Sequence, residues 1–262
     1  MVKLDNNLLI ELGELAVNAA REAGKVILPY YKQSITVDNK SDGSPLTIAD
    51  MESHKLIYSI LSRIKLPIVS EEAKEFSFDS SIYWLIDPLD GTKDFIQGND
   101  EFTINIAVIS SGKPILGVIY APALNELYFG IPGITVWYEE NGIRTEIIEK
   151  PHSPELRMAK SRFHDNPDSD FFALRNKIKT FQKIGSALKF GRLARGLVDV
   201  YPRYEGSSEW DIAAGQAILE AACGSVIDLL TFKTMKYNKT MRRNNHFLAF
   251  RHPYSFNDFF QY

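Results

Sequence analysis

The sequence predicts an α+β arrangement that passes into an α/β layer, on three observations. Two helical periods precede residue 64, and a run of strands then fills the chain to about residue 140. Beyond residue 156 strand and helix patterns alternate, and Pro151 and Pro154 interrupt the chain between the two regimes. The boundary is therefore placed in 149–156, with an N-terminal α+β domain over 1–150 and a C-terminal α/β domain over 151–262.

Residues 6–33 read as one long helix. Leu8, Leu12, Leu15, Ala16, Ala19, Ala23 and Ile27 recur near a 3.6 period, and Pro29 kinks or frays its end. The turn-rich "SDGSPL" (41–46) reads as a loop. Thr47 is placed to cap a second helix running to about Ile64. "PIVS", "YWLID", "EFTINIAVIS", "KPILGVIYAP", "ELYFGI" and "TVWYEE" follow as strands, with hairpin turns at 110–113 and Asn141-Gly142. After the boundary come a strand near Met158, a helix near 168–178 and the strand "TFQKI". Helices near 187–196 and 211–223 flank "VDVYPR", and "SVIDLL" and "HFLAF" supply further strands. Gly224 is expected to close the 211–223 helix.

Composition excludes several classes. The chain has 262 residues, 45% of them hydrophobic, and a net charge of −3. That charge gives no footprint for nucleic acid or an anionic membrane, and no run approaches the roughly 18 apolar residues of a membrane span. Acids inside the N-terminal apolar stretch argue against a signal peptide. The single cysteine, Cys223, leaves no internal disulfide and fits a reducing cytosol; in "LEAACGS" it reads as a buried structural thiol. The five histidines form no HExxH or paired zinc motif.

The stretch "WLIDPLDGTKDF" (84–95) carries the chemistry. A buried-strand pattern ends in Asp87, turns through Pro88, and delivers Asp90, Gly91 and Thr92. Two carboxylates roughly 5 Å apart repel by about 3 kcal/mol at an effective dielectric near 20. A divalent cation relieves that repulsion, and hard oxygen ligands favour Mg²⁺. An isolated DxxDG is ordinary turn chemistry, but Asp-Pro-x-Asp-Gly-Thr fixes five positions, a match expected by chance in roughly one chain in ten thousand.

Other acids join it. "IVSEE" ends a strand in Glu71-Glu72. Asp50 lies in the first turn of the second helix and Asp211 at the start of the "EWDIAAGQ" helix, positions that alone read as capping acids. Helix starts after Gly91, after Gly185-Ser186 and at Asp211 offer N–H groups to a phosphate. Acids for metal beside such starts compose a metal-assisted phosphoryl-transfer site.

"DPLDGT" (87–92), "EE" (71–72) and "WDIAAG" (210–215) resemble the signatures of the inositol monophosphatase-like superfamily, in order and spacing, over nearly the whole chain. "KSDGSPLTIAD" (40–50), "EFTINIAVI" (101–109), "GVIYAP" (117–122), "KSRFH" (160–164), "GSALKF" (185–190) and "VYPR" (200–203) are similar to its bacterial 3'(2'),5'-bisphosphate nucleotidase branch. The resemblance implies a layered αβαβα sandwich of the sugar-phosphatase type. It also implies a Mg²⁺-dependent, lithium-sensitive phosphomonoesterase of sulfur metabolism acting on a small nucleotide. Such an enzyme takes the 3'-phosphate from adenosine 3',5'-bisphosphate, or its phosphosulfate form, with two or three Mg²⁺ ions. A cytoplasmic monomer or homodimer follows, with peripheral inner-membrane association as a variant, no stable membrane insertion and no nucleic-acid partner.

Residue by residue, the resemblance assigns Glu71, Asp87 and the Leu89 carbonyl to one Mg²⁺, and Asp87, Asp90 and Asp211 to another. Gly91 and Thr92 offer N–H groups to the scissile phosphate; Asp50 and Thr92 orient the attacking water; Glu72 acts through a further metal or its water. Ser186 joins the substrate-binding set. Lys189 and Arg203 are candidates for the second phosphate, with surface charge as the plain alternative. Tyr201 and Tyr204 read first as core and second as stacking partners for adenine. The chain departs from the pattern at Ser70, where the family often has glycine, and in "RYEGSSE" (203–209).

Three rival readings remain. Inositol phosphate or fructose bisphosphate could be the substrate of the same site. A haloacid dehalogenase-type phosphatase needs acids at i and i+2, whereas these stand at i and i+3. A metal-binding regulatory protein would keep the cage without turnover.

Overall fold

Alternation of side chains about two sheets builds the molecule in layers. The computed structural model describes residues 5–33, 37–39, 45–73, 80–163 and 166–260. A seven-stranded sheet runs in sequence order: Ile68–Ser70, Ile82–Asp90, Thr103–Ser110, Lys113–Ala121, Glu126–Ile131, Thr135–Glu140 and Ile143–Glu146. Its first pair is parallel and the rest antiparallel. Trp84, Ile86, Ile104, Ile106, Val118 and Phe129 face helices α1 (Asn6–Ile27) and α2 (Ile48–Leu61). Tyr83, Leu85, Ala107, Ile109, Ile119 and Tyr128 face the other way, among residues of two later helices. With both faces buried, these strands read as continuous apolar runs.

A six-stranded sheet forms the next β layer, ordered Thr180–Ile184, Arg157–Ser161, Val200–Arg203, Phe247–Phe250, Ser225–Asp228 and Lys233–Thr234. After α3 (Thr92–Gln97), helix α4 (Pro167–Arg175) covers its outer face through Phe172 and Ala173, against Met158, Val200, Leu248 and Phe250. Its inner face, with Ala159, Tyr201, Val226 and Ala249, shares one core with α5 (Leu188–Ala194) and α6 (Glu209–Ala221). The order is αβαβα, as the resemblance implies.

Helix α6 lies directly on the first sheet. A Cβ on Gly117 would stand 2.2 Å from the Ala214 carbonyl oxygen, and one on Gly130 would stand 2.7 Å from Ile218 Cα. Only bare backbone permits that approach, which fixes the start of α6 and hence Asp211.

The start of the second sheet is tied by charge. Asp199 is fully buried and accepts from the backbone and side chain of Arg157, from Ser153, and from Arg251 Nε at 2.7 Å. Burial alone would raise its carboxyl; the bonds from Arg157, Ser153 and Arg251 outweigh it and hold the group below the usual carboxylate range.

Several elements differ from the sequence reading. The first helix ends at Ile27, and Pro29 sits in a 3₁₀ turn, Leu28–Tyr30, rather than in a helix extending to 33. The second ends at Leu61, three residues short of the expected limit. Residues 41–44 of the expected loop lie outside the described residues, but Pro45–Thr47 is a short strand paired with Val37–Asn39. Strand Ile143–Glu146 has every residue exposed and so carries no apolar alternation to announce it. Helix α6 ends at Ala221, and Cys223, at φ 61°, takes the left-handed position expected of glycine. That turn leaves the thiol exposed, not buried as expected.

Asp199→Asn should lower stability by about 3–5 kcal/mol, because two arginines lose their counter-charge in a buried network. The sign in pH follows from the depressed carboxyl: its contribution is complete above the unfolded value of 3.8 and is lost as pH falls through the folded one. Urea unfolding of both proteins should show a constant gap above about pH 5 that narrows in stronger acid. Gly117→Ala should cost at least about 1–3 kcal/mol in the same measurement.

Candidate active site

Asp87 and Asp90 stand three residues apart in one strand, where a regular pleat would point them to opposite faces. The strand does not stop at Asp87 as expected. It continues to Asp90, and its register against Thr103–Ser110 shifts between the two acids. Pro88, which has no N–H to give a ladder, sits in that irregularity, and its carbonyl accepts from Ser53. Both carboxylates thereby line one cavity of about 320 Å³. Gly91, at φ 84°, then turns the chain into α3; a Cβ there would press within 3.2 Å of both Asp94 and Ser186.

Three segments bring the candidate metal-ligating acids to the cavity, the long strand with Asp87 and Asp90 being one. Glu71 follows the strand Ile68–Ser70, and its N–H donates to the Ile86 carbonyl. Asp211 enters from the first turn of α6. It is not the N-cap: Ser208 is, and Asp211 completes its capping box by accepting from the Ser208 N–H at 2.8 Å. Glu71, Asp87 and Asp211 each present a carboxylate oxygen, all within 4.8 Å of one another. Asp90 lines the same cavity, but its Oδ2 is turned to the Ala187 N–H at 2.7 Å, Asn105 at 3.2 Å and Thr103 at 3.4 Å.

The electrostatics follow from this crowding. Burial, then the charges of Asp90 and Glu71, push Asp211 up to about 7. Burial also raises Asp90, against the pull of Lys189, Asn105 and the Ala187 N–H. Three converging carboxylates with no nitrogen or sulfur donor among them fit a hard divalent cation of the Mg²⁺ type.

Asp50 is buried in α2, at the third position of a capping box with Thr47. Thr47 N–H and hydroxyl donate to its Oδ2, and the Thr92 hydroxyl donates to its Oδ1 at 3.3 Å. Thr92 Oγ1 also stands 3.4 Å from the Leu89 carbonyl oxygen. Leu89, Gly91, Thr92, Ser186, Lys189 and Arg203 all line the cavity. Glu72 is not among its described lining residues; its N–H donates to Ser70 Oγ at the strand end.

Both phosphate-gripping candidates line the cavity and also bond to the protein. Lys189 is buried, and its ammonium donates to the carbonyls of Ile184 and Ser186. Arg203 contacts the Tyr201 hydroxyl and the Glu205 carbonyl. Tyr201 and Tyr204 are buried; Tyr201 meets Phe190 and Phe247 edge-on in the core and also touches the cavity wall.

Sequence reasoning missed Lys93, Asp94, Phe163, Ser207, Ser208 and Arg243, which also line the cavity. Asp94 was legible as part of "DGTKDF"; burial, offset by Asn99, pushes it up to about 6. Phe163, Ser207 and Arg243 sit in irregular or very short elements and give no local signal.

A layered sandwich with an acidic cage at the end of a bulged strand is the build of a cation-dependent site on a sugar-phosphatase scaffold. The chain belongs to the inositol monophosphatase family, which it matches over residues 9–239. It is 40% identical to the 3'(2'),5'-bisphosphate nucleotidase CysQ of Salmonella typhimurium over 222 residues, 82% of this chain and 89% of that protein. It is also 40% identical to CysQ of Escherichia coli K12, over 80% of this chain and 87% of that protein. The crystal structure of CysQ from Bacteroides thetaiotaomicron superposes with a TM-score of 0.82 at 32% identity, covering 94% of this chain and 99% of that one.

Removing one carboxylate should relieve repulsion while abolishing the cage. Asp211→Asn keeps an acceptor for the Ser208 N–H, and should melt about 2–6 °C higher than the parent in chelator. Thermal shift with and without MgCl₂ should show stabilisation by Mg²⁺ in the parent and little in the variant.

Proposed function

We propose that this chain is a Mg²⁺-dependent 3'(2'),5'-bisphosphate nucleotidase. It removes the 3'-phosphate of adenosine 3',5'-bisphosphate to give AMP and phosphate, with the phosphosulfate form as a second substrate. The observation that carries this reading is the convergence of Glu71, Asp87 and Asp211 in a chain 40% identical to proteins of that name.

Glu71, Asp87 and the Leu89 carbonyl would hold one Mg²⁺, and Asp87, Asp90 and Asp211 a second. Bound there, Mg²⁺ neutralises phosphoryl charge and lowers the pKa of a coordinated water. The protein's own part is orientation. Asp50, fixed by Thr47, accepts from the Thr92 hydroxyl and so leaves the Thr92 oxygen lone pairs to receive a hydrogen bond from the attacking water. The N–H groups of Gly91 and Thr92, at the start of α3, face the phosphoryl oxygens. Glu72, outside the cavity lining, is left to act through a third, outer cation. No covalent phosphoenzyme is needed.

Lithium sensitivity, a role in sulfur metabolism, a monomer or homodimer, and a cytoplasmic location belong to the same proposal. No helix among the described residues is long and apolar enough to cross a membrane.

Phosphate release should be measured in MgCl₂ on adenosine 3',5'-bisphosphate, its phosphosulfate relative, inositol 1-phosphate and fructose 1,6-bisphosphate. The adenosine substrates should lead in kcat/KM; a leading inositol phosphate would move the chain to the other branch, and no turnover at all would favour a silent metal binder. Thr92→Ala should lower kcat by about 100–10,000-fold without changing the melting temperature by more than a few degrees. Thr92→Ser, which keeps the hydroxyl, should recover most of that loss.

A further inference from the structure

Helix α2 carries three polar side chains on one face, at i, i+3 and i+4, and each reaches a different part of the site. Asp50 accepts from the Thr92 hydroxyl at 3.3 Å, at the start of α3. Ser53 donates to the Pro88 carbonyl at 2.7 Å, inside the irregularity that separates Asp87 from Asp90. His54 Nδ1 stands 2.8 Å from Ser70 Oγ, where the strand Ile68–Ser70 gives way to the two glutamates. The first two contacts brace groups already placed in the chemistry. The third ends on Ser70, the position where the family often has glycine.

Ser70 holds the turn that carries Glu71. Its carbonyl accepts from the Ala73 N–H at 3.1 Å, and its hydroxyl accepts from the Glu72 N–H at 3.3 Å. Glu71 and Glu72 are therefore the central residues of a turn that Ser70 closes twice, once by backbone and once by side chain. Glycine would supply the first closure and not the second.

The second closure depends on His54. Ser70 is fully buried, and its hydroxyl has one proton to give. With the Glu72 N–H donating to a lone pair, that proton is free to go to His54 Nδ1, provided the nitrogen is bare. Were Nδ1 protonated, two donors would meet the oxygen, and the hydroxyl proton would be buried without an acceptor among the described residues. Burial, with the Lys55 charge second, lowers the His54 pKa, so the ring is neutral at pH 7. A neutral ring with its proton on Nε2 satisfies every group in the chain from His54 through Ser70 to Glu72.

We propose that His54 is a positioning residue for the cation cage: acting through the Ser70 hydroxyl, it locks the turn that sets Glu71 in place before an ion arrives. Neither His54 nor Ser70 is among the described residues lining the cavity, so the pair acts from behind it. The imidazole is anchored by α2, whose Ala49, Ile57 and Leu61 are fully buried in the core between helices and sheet. Outer partners that orient a ligand in this way are worth about 10–100-fold in metal affinity. The inference rests on the reading of Glu71, Asp87 and Asp211 as a divalent-cation site and names what holds the first of them.

The test titrates Mn²⁺ into substrate-free protein and reads the free ion by electron paramagnetic resonance. His54→Leu and Ser70→Ala should each raise the dissociation constant about 10-fold. The double variant should bind no more weakly than Ser70→Ala alone, because both changes break one chain of contacts. His54→Asn, whose amide oxygen reaches the place of Nδ1, should recover most of the loss. In chelator each variant should melt within about 4 °C of the parent. Nitrogen-15 NMR of the metal-free parent should show His54 Nδ1 unprotonated. An unchanged dissociation constant in either single variant, losses that simply add in the double variant, or a protonated Nδ1 would overturn the assignment. A parent that binds no Mn²⁺ would overturn the cage reading itself, and this assignment with it. That failure is told apart because it appears before any substitution is made.

Discussion

The constraint on which the rest depends is like-charge repulsion. Three carboxylates with oxygens inside 4.8 Å do not gather unaided. Each is brought in by a different rigid element. A register shift in the long strand carries Asp87 and Asp90 to one side, the end of the parallel edge strand brings Glu71, and a capping box holds Asp211. The packing of α6 on Gly117 and Gly130 transmits the position of the first sheet to the last acid. The cost of gathering is borne by the layered core and relieved when a cation enters.

A surrounding network of hydrogen bonds braces the cage. Asp90 is steadied from the strand by Asn105 and Thr103, and from the second sheet's side by the Ala187 N–H. The 185–187 turn is itself tied to Glu101: Gly185 N–H donates to its carboxylate and the Ser186 hydroxyl to its backbone carbonyl. Arg162, at the exit of a second-sheet strand, pairs with that same Glu101 and lies 3.5 Å from Asp94. The two sheets thus meet through polar contacts at the cavity and apolar ones behind it. Such support is what holds donor atoms in place before a ligand arrives.

The acids themselves were legible because each needs a local signature: a proline and glycine beside the strand acids, a capping pattern at Asp50 and Asp211. Layer order was legible too, since strands buried on both faces read as unbroken apolar runs. What stayed hidden depends on long-range partners. Nothing near Lys189 foretells that its ammonium donates to two carbonyls, and nothing near Arg243 foretells that it lines the cavity. The Asp199 network joins residues 42 and 52 positions apart, beyond any local pattern. Cys223 misled for the opposite reason: an apolar neighbourhood in sequence ends in a turn that faces solvent.

The most direct measurement is a crystal of this protein soaked in Mn²⁺ and examined by anomalous scattering. Strong anomalous density should lie about 2–2.5 Å from oxygens of Glu71, Asp87 and Asp211 together. Density confined to other surface acids, with none between those three, would contradict the account.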